Sequence, residues 1–233
     1  MIKTDLELLT KQDDTNINGI SNTDIGNDHW FTGLNTPMRA DAFAVSDTDK
    51  KEKIADLFSQ IMDVLGLDLT DDSLKGTPKR VAKMYVEELF SGLNPENMPA
   101  ITLFDNKYQY NQMLVEKNIT FYSNCEHHFV PIFGKAHVAY ISSGKVIGLS
   151  KLNRIVQHFA KRPQVQERLT NQIANELKRI LNTEDVAVII DAKHLCVSSR
   201  GIKDEASATV TSYYGGAFKA QAKITEFQSY LKD

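Results

Sequence analysis

Four consecutive residues, Cys125-Glu126-His127-His128, hold the densest chemistry in the 233-residue sequence. Cys-x-x-His is a metal-ligand spacing, because a turn can bring residues i and i+3 to one ion. The other cysteine lies in His194-Leu195-Cys196, directly after an apolar stretch. On an extended chain residues i and i+2 point the same way, so His194 and Cys196 are expected to share a face. Cys125, His128 and Cys196 together make three soft or borderline donors, a set that suits zinc. A structural zinc site is closed by four protein ligands, whereas a catalytic one keeps a place for water. Both cysteines of the chain are used here, so no Cys-x-x-Cys is left to close the shell. Three ligands, with His127 and His194 spare for proton transfer, read as a hydrolytic centre. Two buried cysteines with satisfied histidines fit the same spacings, and spacing alone leaves that choice open.

Other signatures are missing. There is no His-Glu-x-x-His, no His-x-Glu with a later Pro-Cys-x-x-Cys and no Walker loop. Ser150 sits in Gly-Leu-Ser-Lys-Leu, which lacks the second glycine of a nucleophile elbow. Ser150, Lys151 and Arg154 open a helical pattern, and hydroxyl, ammonium, guanidinium and free backbone N–H groups together suit a phosphate. Arg200 follows Cys196 by four residues, and Arg80 lies in the first turn of another helix. Each basic residue alone is more often a solvated surface charge. Gln166-Glu167 opens a further helix, and a carboxylate there can accept two hydrogen bonds from a guanine edge.

These residues need a scaffold. Residues 1–46 show no sustained periodicity and read as a flexible arm whose one candidate anchor is Trp30-Phe31. Ile54, Leu57, Phe58, Ile61, Met62 and Leu65 predict an amphipathic helix over 49–65, stopped near Gly66. Thr77-Pro78 predicts a second helix, capped by the threonine and running to Gly92. The period then shortens to two before Cys125. Segments 135–141 and 145–149 flank Ser142-Ser143-Gly144 as a hairpin. Ser150 is expected to cap a helix broken by Pro163. A longer helix follows with Val165, Leu169, Ile173, Leu177 and Ile180 on one face. Strands at 186–190 and 206–214 and a last helix after Gly215-Gly216 complete the chain. The result is an α+β pattern with an antiparallel sheet. His137 and His158 fall outside the motifs and read as structural or surface histidines.

Hydrophobic residues at 42% and charged residues at 24% are those of an ordinary globular chain. Two cysteines cannot make a disulfide scaffold, and no apolar run approaches the roughly 18 residues of a membrane span. The N-terminus lacks a secretory pattern, so the expected setting is the reducing cytoplasm, without a membrane. A net charge of −3 argues against a general nucleic-acid binder. Residues 151–200 nonetheless carry nine basic against five acidic side chains, while residues 1–50 carry four against nine. A locally basic segment suits a small anionic ligand.

At these residues the sequence strongly resembles the GTP cyclohydrolase I family over roughly 50–220. The resemblance rests on Cys-Glu-His-His-Phe at 125–129, Gly-Leu-Ser-Lys-Leu-Asn-Arg at 148–154 and Arg-Pro-Gln-Val-Gln-Glu-Arg-Leu-Thr at 162–170. His-x-Cys at 194–196, Arg-Gly at 200–201 and Thr-Pro-x-Arg-Val-Ala-Lys-Met at 77–84 extend it. It implies a tunnelling-type fold, with helices packed on one face of an antiparallel sheet and sheets of several subunits closing into a barrel. It also implies a homodecamer with active sites at subunit interfaces, and a catalytic domain over 47–233, with a helical pair at 47–95 and a zinc-binding core at 108–220. The implied reaction turns GTP and water into 7,8-dihydroneopterin triphosphate and formate, the first step of pterin biosynthesis. By resemblance Cys125, His128 and Cys196 are the Zn2+ ligands, Gln166 and Glu167 contact guanine, and Arg80, Lys151, Arg154 and Arg200 contact the triphosphate. His127, Ser150 and His194 match catalytic groups near the purine C8 and the ribose. A nitrile reductase of the same fold, or an idle purine-binding assembly protein, are the competing readings.

Overall fold

A computed structural model describes residues 33–232. Helix α1 spans Asp47–Val64, with Ser46 as its N-cap accepting from the Asp49 amide at 3.1 Å. It ends at Leu65, and Gly66 then turns the chain at a φ of +78°, where a side chain would be strained. Helix α2 spans Thr77–Lys83; Gly76 rather than Thr77 is its N-cap, and Thr77 already belongs to the first turn. The helical path continues with wider winding through Met84–Leu89. The Lys51–Glu87 ion pair, at 2.6 Å, ties that stretch to α1. The arm anchor expected at Trp30-Phe31 lies outside the described residues.

The strands are β1 (Leu103–Asp105), β2 (Met113–Cys125), β3 (Pro131–Ile141), β4 (Lys145–Ile147), β5 (Pro163–Gln164), β6 (Val186–His194) and β7 (Thr209–Tyr214). Five of them form one sheet in the order β5-β2-β3-β6-β7. The sheet is mixed rather than wholly antiparallel, because β5 runs parallel to β2. The hairpin expected at 142–144 does not pair its own arms. Both edges of β3 are already taken, by β2 and by β6, so β4 leaves the sheet and pairs with β1.

Helix α3 (Leu149–Ala160) and helix α4 (Gln166–Leu181) cover one face of the sheet. The α3 cap is Gly148, so Ser150 lies inside the first turn instead of capping it. Alternation is regular along β3 and β6, whereas β2 shifts register between Glu116 and Ile119. Ala136, Val138 and Tyr140 of β3 and Val186, Val188 and Ile190 of β6 point into the α3–α4 core, as residues two apart must. Ala139, Ala187 and Ile189 point to the other face. Contrary to the one-faced packing expected, helix α6 (Gln221–Leu231) covers part of that second face through Phe227, with Phe218 beside it.

Candidate metal centre and its surroundings

Strand order assembles the metal centre. β2 and β6 are both antiparallel to β3 and hence parallel to each other, so their C-terminal ends lie at the same end of the sheet. Ile132 of β3 sits between Ser123 of β2 and His194 of β6. The segments that follow, 125–130 and 195–200, therefore leave the sheet side by side. Cys125, His128 and Cys196 meet there, with their donor atoms all within 4.8 Å of one another.

The first loop is fixed by its backbone. The Cys125 amide donates to the Val130 carbonyl at 2.9 Å, and the Phe129 amide donates to the Cys125 carbonyl at 2.8 Å. This tight turn puts Phe129 at a φ of +54° and places His127 Nδ1 and His128 Nδ1 at 3.7 and 3.8 Å from the Cys125 sulfur. Cys196 arrives differently from the extended geometry expected of it. β6 ends at His194, and Leu195–Ser198 form one helical turn, α5, so His194 and Cys196 do not lie on one strand face.

The donor set fits a soft or borderline dication. Burial pushes the Cys196 thiol up to about 11, and the adjacent Cys125 adds to the shift. Two sulfurs this close cannot both ionise cheaply unless a cation sits between them, and a coordinating metal deprotonates a thiol outright. One imidazole and two thiols suit zinc, and a trio leaves a fourth position open.

His194 is held by Gln166, whose side chain is 2% exposed. The Gln166 amide nitrogen donates to the Ile190 carbonyl at 3.1 Å, the Thr209 carbonyl at 2.8 Å and Thr211 Oγ1 at 3.1 Å. Its oxygen must then face His194 Nε2, 2.7 Å away, which makes Nε2 the protonated nitrogen and leaves Nδ1 for proton exchange. Burial holds the His194 imidazole below its ordinary value, and Glu167 acts in the opposite direction. A guanine contact from Gln166 would have to displace one of these bonds. Arg200 reaches the centre too, donating to His128 Nε2 at 2.9 Å.

Other expected site residues are not gathered in one chain. Asn153 in the first half of α3 donates to Glu116, and Gln157 to the Thr120 carbonyl, so α3 runs along β2 towards its metal end. Ser150 and Lys151 open α3 at its end away from the metal loop, since α3 leads at its other end to Pro163, which pairs with Asn124. Arg154 lines a separate cavity of about 360 Å3 with Gln157, His158 and Lys161. Arg80 donates to the Ser73 carbonyl and Thr77 Oγ1, each at 3.0 Å. His137 and His158 are both buried and structural, His137 accepting from the Asn118 amide at 3.3 Å.

Sequence reasoning missed Glu126 and Arg168, which form a bidentate ion pair directly behind the metal loop. The available signal was weak: Arg168 and Gln172 are four residues apart beside the apolar stripe of α4, an odd place for large polar groups.

The family profile described as GTP cyclohydrolase I matches residues 54–231. A curated relative named GTP cyclohydrolase 1, from Flavobacterium johnsoniae, is 61% identical over 209 residues, covering 90% of this chain and 94% of its own. That span exceeds the residues beyond position 46, so the likeness runs into the arm. Proteins of the same name from Vibrio parahaemolyticus and Aeromonas salmonicida are 57% and 56% identical over 201 residues, 86% of this chain and 92% and 91% of theirs. With the Cys-His-Cys trio and most of the chain in agreement, the chain belongs to the GTP cyclohydrolase I family.

Proposed function

We propose that the chain is a zinc-dependent enzyme converting GTP and water into 7,8-dihydroneopterin triphosphate and formate, acting in the cytoplasm, where thiol ligands stay reduced. The convergence of Cys125, His128 and Cys196 carries this reading. A zinc ion held by these donors supplies a Lewis acid that makes water a nucleophile near neutral pH. His127, beside the Cys125 sulfur, exchanges a proton at the imidazole nitrogen of the purine. His194, its Nε2–H held by Gln166, takes up a proton from water at Nδ1 and passes it to the ribose ring oxygen. Ser150 assists rearrangement of the opened sugar. Glu167 accepts from the guanine edge, with Gln166 behind it. Lys151, Arg154, Arg200 and Arg80 hold the unreacting triphosphate, so that its binding energy positions C8.

Ser150 and Lys151 open α3 at its end away from the trio, and Arg154 lines a separate cavity, which supports a site completed by a second copy. We read the working unit as a homodecamer whose sheets close into a tunnelling-fold barrel with sites at the interfaces. Formate release and oxidised neopterin fluorescence from GTP test the reaction; with zinc and GTP both bound, absence of either product overturns it. Mixing Arg154→Ala with Cys196→Ala chains tests the shared site: activity returns in mixed oligomers, and no recovery confines the site to one chain. Glu167→Ala is expected to raise the KM for GTP about ten- to a hundred-fold, the worth of charge-assisted hydrogen bonds, with zinc content unchanged. Loss of zinc in that variant would make Glu167 a structural support.

A further inference from the structure

We propose that Arg168 and Glu126 are positioning residues, forming a buried clamp that sets the geometry of the metal loop from behind. The inference rests on the metal-centre reading above. The Arg168 side chain is 2% exposed, and a guanidinium so deeply buried needs its donors satisfied. Its Nε donates to the Gly33 carbonyl at 2.9 Å, and its two terminal nitrogens donate to the two oxygens of Glu126, one of them at 3.2 Å. Three segments therefore meet at one planar group: residue 33, the metal loop and α4. One turn further along α4, the Gln172 amide donates to the Leu34 carbonyl at 3.1 Å, so the start of the described chain is held on the same helix.

Glu126 is where such a clamp has most leverage. It lies between the ligand Cys125 and the pair His127 and His128. Its amide donates to the Gln164 carbonyl at 3.0 Å while its carboxylate is gripped by Arg168, so residue 126 is fixed through both backbone and side chain. Glu126 Oε1 also lies 3.8 Å from His127 Nε2. A fork-to-carboxylate pair fixes direction as well as distance. Buried ion pairs contribute little net stability compared with apolar substitutes, so orientation of the loop is the main consequence here. Groups that orient metal ligands from outside the coordination shell typically matter 10–100-fold in affinity or activity.

The test uses cobalt(II) titrated into metal-free full-length protein, read by its visible ligand-field and thiolate charge-transfer absorption. Wild-type protein is expected to bind about one cobalt per chain. Glu126→Gln keeps all three ligands and nearly the same shape, yet is expected to bind cobalt about 10–100-fold more weakly with a shifted ligand-field spectrum. The double variant Glu126→Gln/Arg168→Met removes both charges. It is expected to regain thermal stability while keeping the weakened affinity and shifted spectrum. Wild-type cobalt affinity and spectrum in both variants would overturn the proposal and leave the pair as a fold element. Wild-type protein that binds no cobalt would instead remove the metal centre itself, and the clamp with it.

Discussion

Helices α1 and α4 are both amphipathic in sequence, yet the chain treats them differently. α4 buries nine of its sixteen residues, among them Gln166, Arg168, Thr170 and Gln172, and lies against the sheet. α1 buries only Met62, and its stripe residues Leu57 and Ile61 are half or more exposed. Part of that stripe borders an apolar cavity of about 450 Å3, whose lining also includes Phe43, Tyr85, Phe90 and Phe129. Helix α4 buries polar groups, each needing a partner, whereas α1 leaves apolar groups uncovered. Polar burial costs free energy unless every donor is met, and on α4 the partners include His194 for Gln166, Glu126 for Arg168 and the Leu34 carbonyl for Gln172.

The largest effect expected on the α4 side is at a ligand. Cys196→Ala removes one of three donors and is expected to abolish both zinc binding and GTP turnover to background, measured by metal content and formate release. Full activity in that variant would end the metal assignment.

Stability sharpens the contrast next. Leu177 on α4 is 1% exposed, so Leu177→Ala is expected to cost about 2–5 kcal/mol in denaturant unfolding. Leu57 on α1 is 50% exposed, and Leu57→Ala is expected to cost about 1 kcal/mol or less. Equal costs would break the comparison, and would mean that α1 is covered in solution by something outside one chain.

The α4 stripe was legible because Leu169, Ile173 and Leu177 repeat at helical spacing and meet β3 and β6, whose residues alternate as regularly. The grouping of Cys125, His128 and Cys196 was legible too, but only as residue types. The path of Cys196 was not: Leu195–Ser198 turn helically, and nothing in four residues distinguishes that from a continued strand. The 142–144 turn misled for a different reason. Turn residues report local bending, whereas the pairing of β4 depends on β6, some forty residues later, occupying the free edge of β3. Ser150 as a cap failed by two residues, the usual scale on which helix starts slip. The clamp was hidden because Glu126 and Arg168 are forty-two residues apart.

The last effect is read through pH and concerns the joint between the segment after α2 and the end of α3. Gly92, beyond α2, donates its amide to the Lys161 carbonyl at 2.9 Å and accepts from Arg162 Nε at 2.7 Å. A methyl group on Gly92 would meet the His158 carbonyl oxygen at 2.0 Å, so only glycine permits this approach. His158 is 6% exposed, with Arg162 donating to its Nε2 at 2.8 Å. Burial lowers its imidazole to about 4, with Arg162 adding to the shift, while the Asn97 backbone and Glu176 oppose it. The folded value lies below the ordinary 6.5, so between those values the unfolded chain binds the extra proton. The stability associated with neutral His158 is therefore complete above about pH 6.5 and is lost as pH falls towards about 4, by up to about 3 kcal/mol. His158→Gln cannot titrate, so its stability is expected to fall less than that of wild type between about pH 7 and pH 4.5, read as the difference in urea midpoints. Parallel pH profiles would mean that His158 is solvated, and that the joint holding 91–97 against α3 is looser than its hydrogen bonds imply.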